Sequence, residues 1–154
     1  MRKIKYLGLC VVLLLTMFVV TGCGSKNVEG KLEDIMDKLY VDIAEDNRPG
    51  LLTNIPIDDE NIESFIGIKD IEYTEAIASE SMMGAIAHSV VLVRVKDVAE
   101  IEEYKKDILE NVNPRKWICV EAEEVEVESR GNLILIVMSN EITADKIVDE
   151  FNKL

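Results

Sequence analysis

The sequence predicts an α+β fold. In this fold two strand-strand-helix units form a four-stranded antiparallel sheet, helices cover one face, and an amphipathic helix lies on the N-terminal side. Two observations carry the prediction. Residues Val90–Val93 and Leu133–Met138 are unbroken apolar runs, which are typical of strands buried on both faces. Segments 89–103 and 132–146 also share one order of polarity: an apolar run, a polar turn and an acidic helix start.

The first predicted element of the domain is an amphipathic helix over residues 31–45. Its apolar residues recur at three- and four-residue steps, which place side chains on one helical face: Leu32, Ile35, Met36, Leu39, Tyr40 and Ile43. The segment Asn47–Gly50 contains proline and glycine and ends this helix. A shorter helix is predicted after Asp58 or Asp59, with Gly67 in its C-terminal cap position.

The later elements follow from changes in the period of the apolar residues. Residues 70–80 alternate between apolar and polar side chains, which predicts a half-buried strand, and a second strand covers 88–95. A helix is predicted over 97–112, since Asp97 precedes Glu100 by the spacing of a capping box. The remaining elements are a strand over 117–128 with a bulge near Glu123, a strand over 133–138 and a closing helix over 140–153.

The distribution of apolar residues also predicts the strand order. Strands that are apolar on both faces belong in the centre of a sheet, so the more polar strands over 70–80 and 117–128 belong at its edges. The two hairpins then meet through their second strands, which gives the order 1-2-4-3. The helices over 97–112 and 140–153 are expected on one face of the sheet. The pattern does not predict on which of the two faces the helix over 31–45 packs.

The N-terminal segment over 1–22 has the pattern of a secretory signal peptide. Arg2, Lys3 and Lys5 precede an uncharged apolar segment that extends from Leu7 to Val20. This segment is too short for a membrane-spanning helix, which needs about 20 apolar residues, so a retained transmembrane anchor is the weaker interpretation. The tetrad Val20-Thr21-Gly22-Cys23 resembles the lipobox of bacterial lipoproteins.

The resemblance to a lipobox implies how the protein is held. Signal peptidase II would cut after Gly22, and Cys23 would receive a diacylglyceryl group and become the mature N-terminus. Two or more acyl chains anchor a protein stably, so the predicted partner is the membrane and the predicted location is the extracytoplasmic side of the cell membrane. The alternative is an ordinary cysteine near a conventional cleavage site. The chain then comprises a signal peptide over 1–22, a lipidated cysteine and tether over 23–30, and one α+β domain over 31–154.

The charge of the mature chain excludes one class of partner. Removal of residues 1–22 takes away three of the 17 Lys and Arg residues and none of the 30 Asp and Glu residues, which changes the formal net charge from −13 to −16. Such a chain does not bind nucleic acid by neutralising phosphates. Anionic headgroups repel it, so the lipid must provide the anchor. Cys119 has no cysteine partner other than Cys23, so we expect the core to stabilise the fold without a disulfide.

No catalytic residue, metal site or cofactor is predicted. A thiol catalyst would need Cys119 and His88 close together in space, and the sequence cannot show whether they are. Cys119 lies in an apolar strand context, which favours an inert buried thiol. The glutamates between 121 and 128 offer ligands for a cation. Their alternating spacing, without an EF-hand loop, favours an exposed edge strand whose charge prevents pairing with other edges.

Two segments are the candidates for a binding surface. Met82 and Met83 are apolar residues in a loop, and methionine suits adaptable contact surfaces. Arg115, Lys116 and Trp117 combine adjacent basic residues with the only tryptophan of the chain, and tryptophan and arginine are enriched where proteins dock. The alternative for both segments is core packing at the end of the sheet, which burial tendencies favour for Trp117.

The domain as a whole resembles small Gram-positive lipoproteins of the clostridial type that carry a domain of unknown function, family 4358. The resemblance covers about residues 58–154 and lies in three segments: Ser79–Met83, Ala87–Val95 and Asn113–Val120. It implies a surface lipoprotein without an assigned activity, and no functional residue is carried over from it.

The sequence therefore favours a non-enzymatic module, tethered through Cys23, that binds a protein or a small ligand outside the cytoplasmic membrane. The alternatives are an accessory subunit of an envelope enzyme or solute-binding system, and a purely structural lipoprotein. A deep pocket with convergent polar groups would favour the accessory subunit. A flat apolar surface around Met82, Met83 and Trp117 would favour the binding module.

Overall fold

A computed structural model describes residues 26–154 of the chain. The signal peptide predicted for 1–22 and the lipidation site Cys23 lie outside the described residues. The strands are β1 Leu52–Ile57, β2 Tyr73–Ser81, β3 Ser89–Val95, β4 Glu124–Arg130 and β5 Leu133–Ser139. The helices are α1 Leu32–Leu39, α2 Ile62–Ile66, α3 Ile101–Asn111 and α4 Glu141–Phe151. All strand pairs are antiparallel, in the order β1-β2-β3-β5-β4, so the predicted α+β class is confirmed.

The sheet has a fifth strand that the sequence analysis did not predict. β1 pairs with β2 from Leu52 opposite Ser81 to Ile57 opposite Ala76, so β1 forms the edge that was assigned to β2. Pro56 lies within β1, and a proline, which has no amide hydrogen, is tolerated in an edge strand. That proline is the reason why the segment does not resemble a strand in the sequence. The four predicted strands keep their predicted order within the larger sheet.

The helices cover both faces of the sheet, so the prediction that they cover one face is wrong. α2 and α3 pack on one face, where Ile108 of α3 shares a core with Val91. α1 and α4 pack on the other face, where Phe151 of α4 shares a core with Leu92. The physical reason is that β3 and β5 are apolar on both faces, and each face needs a helical layer to exclude water. Both cores lie entirely within the described residues.

α1 is shorter than its predicted helix over 31–45. The helix ends at Leu39, and turns continue the chain, yet Tyr40 and Ile43 remain buried. The amide of Ile43 donates to the carbonyl of Tyr40 at 3.4 Å, which is the i to i+3 bond of a 3₁₀-type turn. Turns of this kind retain the spacing on which the helix prediction was based, so the pattern alone did not locate the end of the helix.

β4 begins later than the predicted strand over 117–128. Its first residue, Glu124, pairs with Ser139, which is the last residue of β5. After Ser139 the chain leaves the sheet for α4, so the residues before Glu124 have no strand to pair with. Residues 117–123, including the position of the predicted bulge, therefore form a loop.

The ends of the helices follow local rules that the sequence had indicated in part. The carboxylate of Asp97 accepts from the amide of Ala99 at 2.9 Å, at the start of a 3₁₀ turn over Val98–Glu100 that leads into α3. Gly67 is the C-cap of α2 with a φ of 81°, in the left-handed region. The prediction of a glycine cap at this position is confirmed.

Candidate functional site

Three loops meet at one end of the sheet. β1 begins opposite the last residue of β2, β3 begins opposite Met138 near the end of β5, and β4 begins opposite the last residue of β5. Loops 40–51, 82–88 and 112–123 are therefore neighbours, and we call this region the loop end. All five residues of the predicted binding surface lie in two of these loops: Met82, Met83, Arg115, Lys116 and Trp117.

The loop end carries an apolar patch formed by Leu51, Met82 and Met83. Leu51 is 71% exposed, Met82 73% and Met83 43%. The amide of Met82 donates to the carbonyl of Leu51 at 3.0 Å, so the two loops are joined at the patch. The hydroxyl of Ser81 donates to the carbonyl of Gly50 at 2.9 Å and accepts from the amide of Met83 at 3.2 Å. The apolar side chains are thus presented to solvent on a hydrogen-bonded backbone.

Leu51 has an unusual backbone conformation. Its φ of 52° is the only positive value at a non-glycine residue among the described residues. A left-handed conformation costs an L-residue about 1–2 kcal/mol, and such costs are concentrated at functional positions. Leu51 was not predicted as a site residue because a backbone angle leaves no pattern in the sequence. The preceding Pro49-Gly50 was the only sign of a turn.

Lys116 and Trp117 are held against the domain. The ammonium group of Lys116 forms an ion pair with Glu80 and donates to the hydroxyl of Ser89 at 3.2 Å. The same group lies 4.9 Å from the ring centroid of Phe65 and 5.3 Å from that of Trp117. Trp117 is half-buried and packs on the core beneath α3. Lys116 and Trp117 therefore hold the 112–123 loop on the domain and do not present a free binding surface.

The rest of the 112–123 loop is open to solvent. Arg115 is exposed and pairs with Glu121, and Ile118 is 97% exposed. Cys119 is also exposed, so the prediction of a buried thiol in a strand is wrong. The reason is the late start of β4, which leaves the Trp117–Val120 run outside the sheet.

His88 is fully buried in a chain of hydroxyl groups, whereas Cys119 is exposed. The His88 Nε2 atom lies 2.8 Å from the hydroxyl of Tyr40, and the Nδ1 atom lies 2.9 Å from the hydroxyl of Ser139. Both ring nitrogens are thus satisfied, and neither contacts a thiol. Burial lowers the pKa of His88 from 6.5 to about 4. Burial also raises the pKa of Tyr40, so the chain Tyr40–His88–Ser139 is neutral at physiological pH.

The glutamate-rich segment forms the outer edge of the sheet from Glu124 onward, and Glu121 and Glu123 lie in the preceding loop. β4 is the edge strand, as the alternative interpretation of this segment had expected. Burial, together with Glu124 and Glu128, raises the pKa of Glu126. Within residues 26–154, no cluster of three or more His, Cys, Asp or Glu side chains is placed to hold a metal ion.

The N-terminal segment packs at the end of the sheet opposite to the loop end. Val28 is buried, and its amide donates to the side-chain carbonyl of Asn132 at 3.1 Å, in the turn between β4 and β5. The guanidinium group of Arg94 donates to the carbonyls of Val28 and Gly30, the latter at 2.7 Å, and pairs with Glu75 at 2.6 Å. Residues 28–30 of the predicted tether are therefore part of the folded domain.

A groove of about 800 Å³ lies beside this N-terminal segment. Its walls come from residues 26–29, α1 and the residues just after it, the last residue of β4, and the end of α4 with the residues that follow it. The charged lining residues are Lys26, Lys38, Arg130, Lys153, Glu29 and Glu150. The groove is not visible in the sequence because its cations are far apart in the chain and only the fold brings them together. We refer to it as the basic groove.

None of the helices that the structure describes is long and apolar enough to cross a membrane. Comparison of the chain with models of protein families, with curated proteins and with solved structures finds no match. The resemblance to clostridial-type lipoproteins therefore remains a prediction.

Proposed function

We propose that this protein is a non-enzymatic binding module, held at the extracytoplasmic face of the cell membrane by lipid on Cys23, that docks a protein partner through the apolar patch. One observation carries the proposal: the N-terminal segment and the patch lie at opposite ends of the sheet. A strand of seven residues, such as β3, spans about 23 Å. A lipid joined to Cys23 would leave the loop end directed away from the bilayer.

The character of the patch supports a protein partner. Leu51, Met82 and Met83 expose apolar surface that water solvates poorly, and contiguous exposed apolar surface marks sites of interaction. Methionine side chains adapt to the shape of a partner. The hydrogen bonds from Ser81 hold the backbone beneath them, so docking does not require this part of the loops to be ordered first.

Photo-cross-linking in intact cells tests the patch. The variant Met82→benzoylphenylalanine is expected to give one discrete adduct with an envelope protein. The matched control is Val98→benzoylphenylalanine, because Val98 is an exposed apolar residue, 52% accessible, next to the opposite end of β3. Adding Leu51→Ser and Met83→Ser to the labelled chain should remove the adduct. Equal adducts from both positions, or an adduct that survives the serine substitutions, would contradict the proposal.

The identity of the cross-linked protein separates the two forms of this function. An adduct with an envelope enzyme or a transporter component makes the protein an accessory subunit. An adduct with any other surface protein makes it an interaction module in its own right.

A further inference from the structure

The basic groove has an unusual charge for this chain. Four of its lining residues are cationic and two are anionic, although the chain as a whole carries a formal net charge of −13. Lys26, Lys38 and Arg130 form no ion pair with any residue that the structure describes. The fourth cation, Lys153, pairs with Glu150 and also, at 3.5 Å, with Asp42 beside the groove. Within the described part of the chain, the four cations of the groove stand against three anions, Glu29, Glu150 and Asp42, so the groove keeps an excess of one positive charge.

The groove lies close in the chain to the predicted lipidation site, so the membrane is the first surface that it would meet. Lys26 is the third residue after Cys23, and three extended residues span about 10 Å. Val28 is buried and held by Arg94 and Asn132, so no slack in the chain lies between the groove and the start of the domain. A lipid on Cys23 would therefore keep the groove within this short reach, about 10 Å, of the headgroups.

At that distance the local charge outweighs the net charge. The Debye length at physiological ionic strength is about 8 Å, so the acidic residues of the loop end, at the far end of the sheet, are screened from the bilayer. The charges close enough to interact are those that line the groove: Lys26, Lys38 and Arg130, together with Glu29 and the ion-paired Lys153 and Glu150. The overall repulsion expected from the net charge therefore does not apply to this orientation of the domain.

We propose that the basic groove docks onto anionic phospholipid headgroups of the bilayer that holds the anchor. This proposal rests on the proposed lipidation of Cys23. The phosphate groups pair with Lys26, Lys38 and Arg130, while Val41, which is 72% exposed at the groove, contacts the interface between headgroups and acyl chains. The anchor makes docking intramolecular, with an effective concentration in the millimolar range, so weak contacts are sufficient.

Docking gives the domain a fixed orientation on the membrane. A tether alone would let the domain rotate and would bring the apolar patch toward the bilayer for part of the time. Contacts at the groove hold the opposite end of the sheet outward, where the patch is open to another envelope protein. The anchor sets the distance from the membrane, and the groove sets the orientation.

The test supplies the anchor chemically, so it does not depend on lipidation in cells. A chain from Cys23 to Leu154 contains both cores of the fold; with Cys119→Ser it couples through Cys23 alone to a maleimide lipid in nanodiscs. A gadolinium-chelating lipid then broadens the amide NMR signals of residues near the bilayer. In discs that contain phosphatidylglycerol, the signals of Lys38 and Arg130 should broaden more than that of Met82. In pure phosphatidylcholine this difference should fall to the smaller bias that the short tether alone produces.

Charge variants make the test specific. Each basic residue near an anionic surface strengthens binding about fivefold, so Lys38→Gln with Arg130→Gln should lower the ratio of docked to undocked molecules about thirtyfold. The matched control is Lys69→Gln with Lys106→Gln, two lysines that do not line the groove and that change the net charge equally. The control pair should leave the broadening unchanged.

Three outcomes would overturn the proposal. They are equal broadening at Met82 and Lys38, broadening that does not depend on phosphatidylglycerol, and equal loss in the groove and control pairs. Broadening that is independent of phosphatidylglycerol would make the groove a site for a soluble ligand or a protein. If the domain docks in nanodiscs but Cys23 is not lipidated in cells, only the proposed lipid anchor is contradicted. If Cys23 is lipidated in cells but the domain does not dock in nanodiscs, only the proposed docking of the groove is contradicted.

Discussion

Replacement of Gly67 by alanine is expected to lower the free energy of unfolding by about 3 kcal/mol, from backbone strain and overpacking together. The φ of 81° places this residue in the left-handed region, where an L-residue pays about 1–2 kcal/mol. A Cβ atom would also lie 2.4 Å from the backbone carbonyl of Asn111 and 2.5 Å from the amide of Val112. Those atoms belong to the backbone at the end of α3, so α2 must move away from α3, and overpacking of this kind costs about 1–3 kcal/mol.

Urea unfolding followed by circular dichroism measures this loss, and Gly84 provides the matched control. Gly84 lies in the exposed part of the 82–88 loop, with no atom within 4 Å of the Cβ position and no positive φ. Gly84→Ala should change the free energy of unfolding by less than about 0.5 kcal/mol. If Gly67→Ala were as mild as Gly84→Ala, the close approach of α2 to α3 would be wrong.

Acidification from pH 7 to pH 5 is expected to remove about 2 kcal/mol of stability through His88 alone, by the linkage between proton binding and folding. The pKa of His88 is about 4 in the folded chain, because of burial, and 6.5 as a free side chain. The unfolded chain therefore binds a proton in this window and the folded chain does not, so stability falls as the pH falls. The loss begins near pH 6.5, grows toward pH 4 and is constant below that value.

The variant His88→Gln isolates this contribution. Urea unfolding of both proteins at pH 7 and pH 5 gives two changes in stability, and their difference is the contribution of His88. Glu126 acts in the opposite direction, since its raised pKa makes the folded state bind protons more readily, but it is present in both proteins and cancels. The same pH dependence in both proteins would show that His88 is not neutral and buried in the Tyr40–Ser139 chain.

The sequence predicted those features of the fold that depend on local apolar patterns. The runs at Val90–Val93 and Leu133–Met138 located the two central strands, and their neighbours followed in the correct order. The same runs also required helices on both faces, a consequence that the sequence analysis did not draw. β1 was missed because Pro56 and exposed residues interrupt its pattern, and only pairing with β2 makes it a strand.

The candidate sites also divide into features that are visible in the sequence and features that only the fold creates. Met82 and Met83 were found because two apolar residues in a polar loop are visible in the sequence, and the structure leaves both exposed. Leu51 joins them through a single backbone hydrogen bond, and no rule about residue spacing in the sequence predicts that bond. Lys116 was predicted to bind a partner because it lies between Arg115 and Trp117 in the sequence, but its ion pair with Glu80 holds it on the domain. The basic groove combines residues more than a hundred positions apart, so only the fold could show it.

Labelling of cells with radioactive palmitate, followed by separation of membranes, tests the central claim most directly. The proposed anchor predicts that the wild-type chain is labelled and found with the membranes. The matched control Cys119→Ser removes a cysteine that is exposed on the domain, and it should behave in the same way. Cys23→Ser should lose the label and either leave the membrane fraction or remain unprocessed. A Cys23→Ser chain that is still labelled and still held at the membrane would contradict the account.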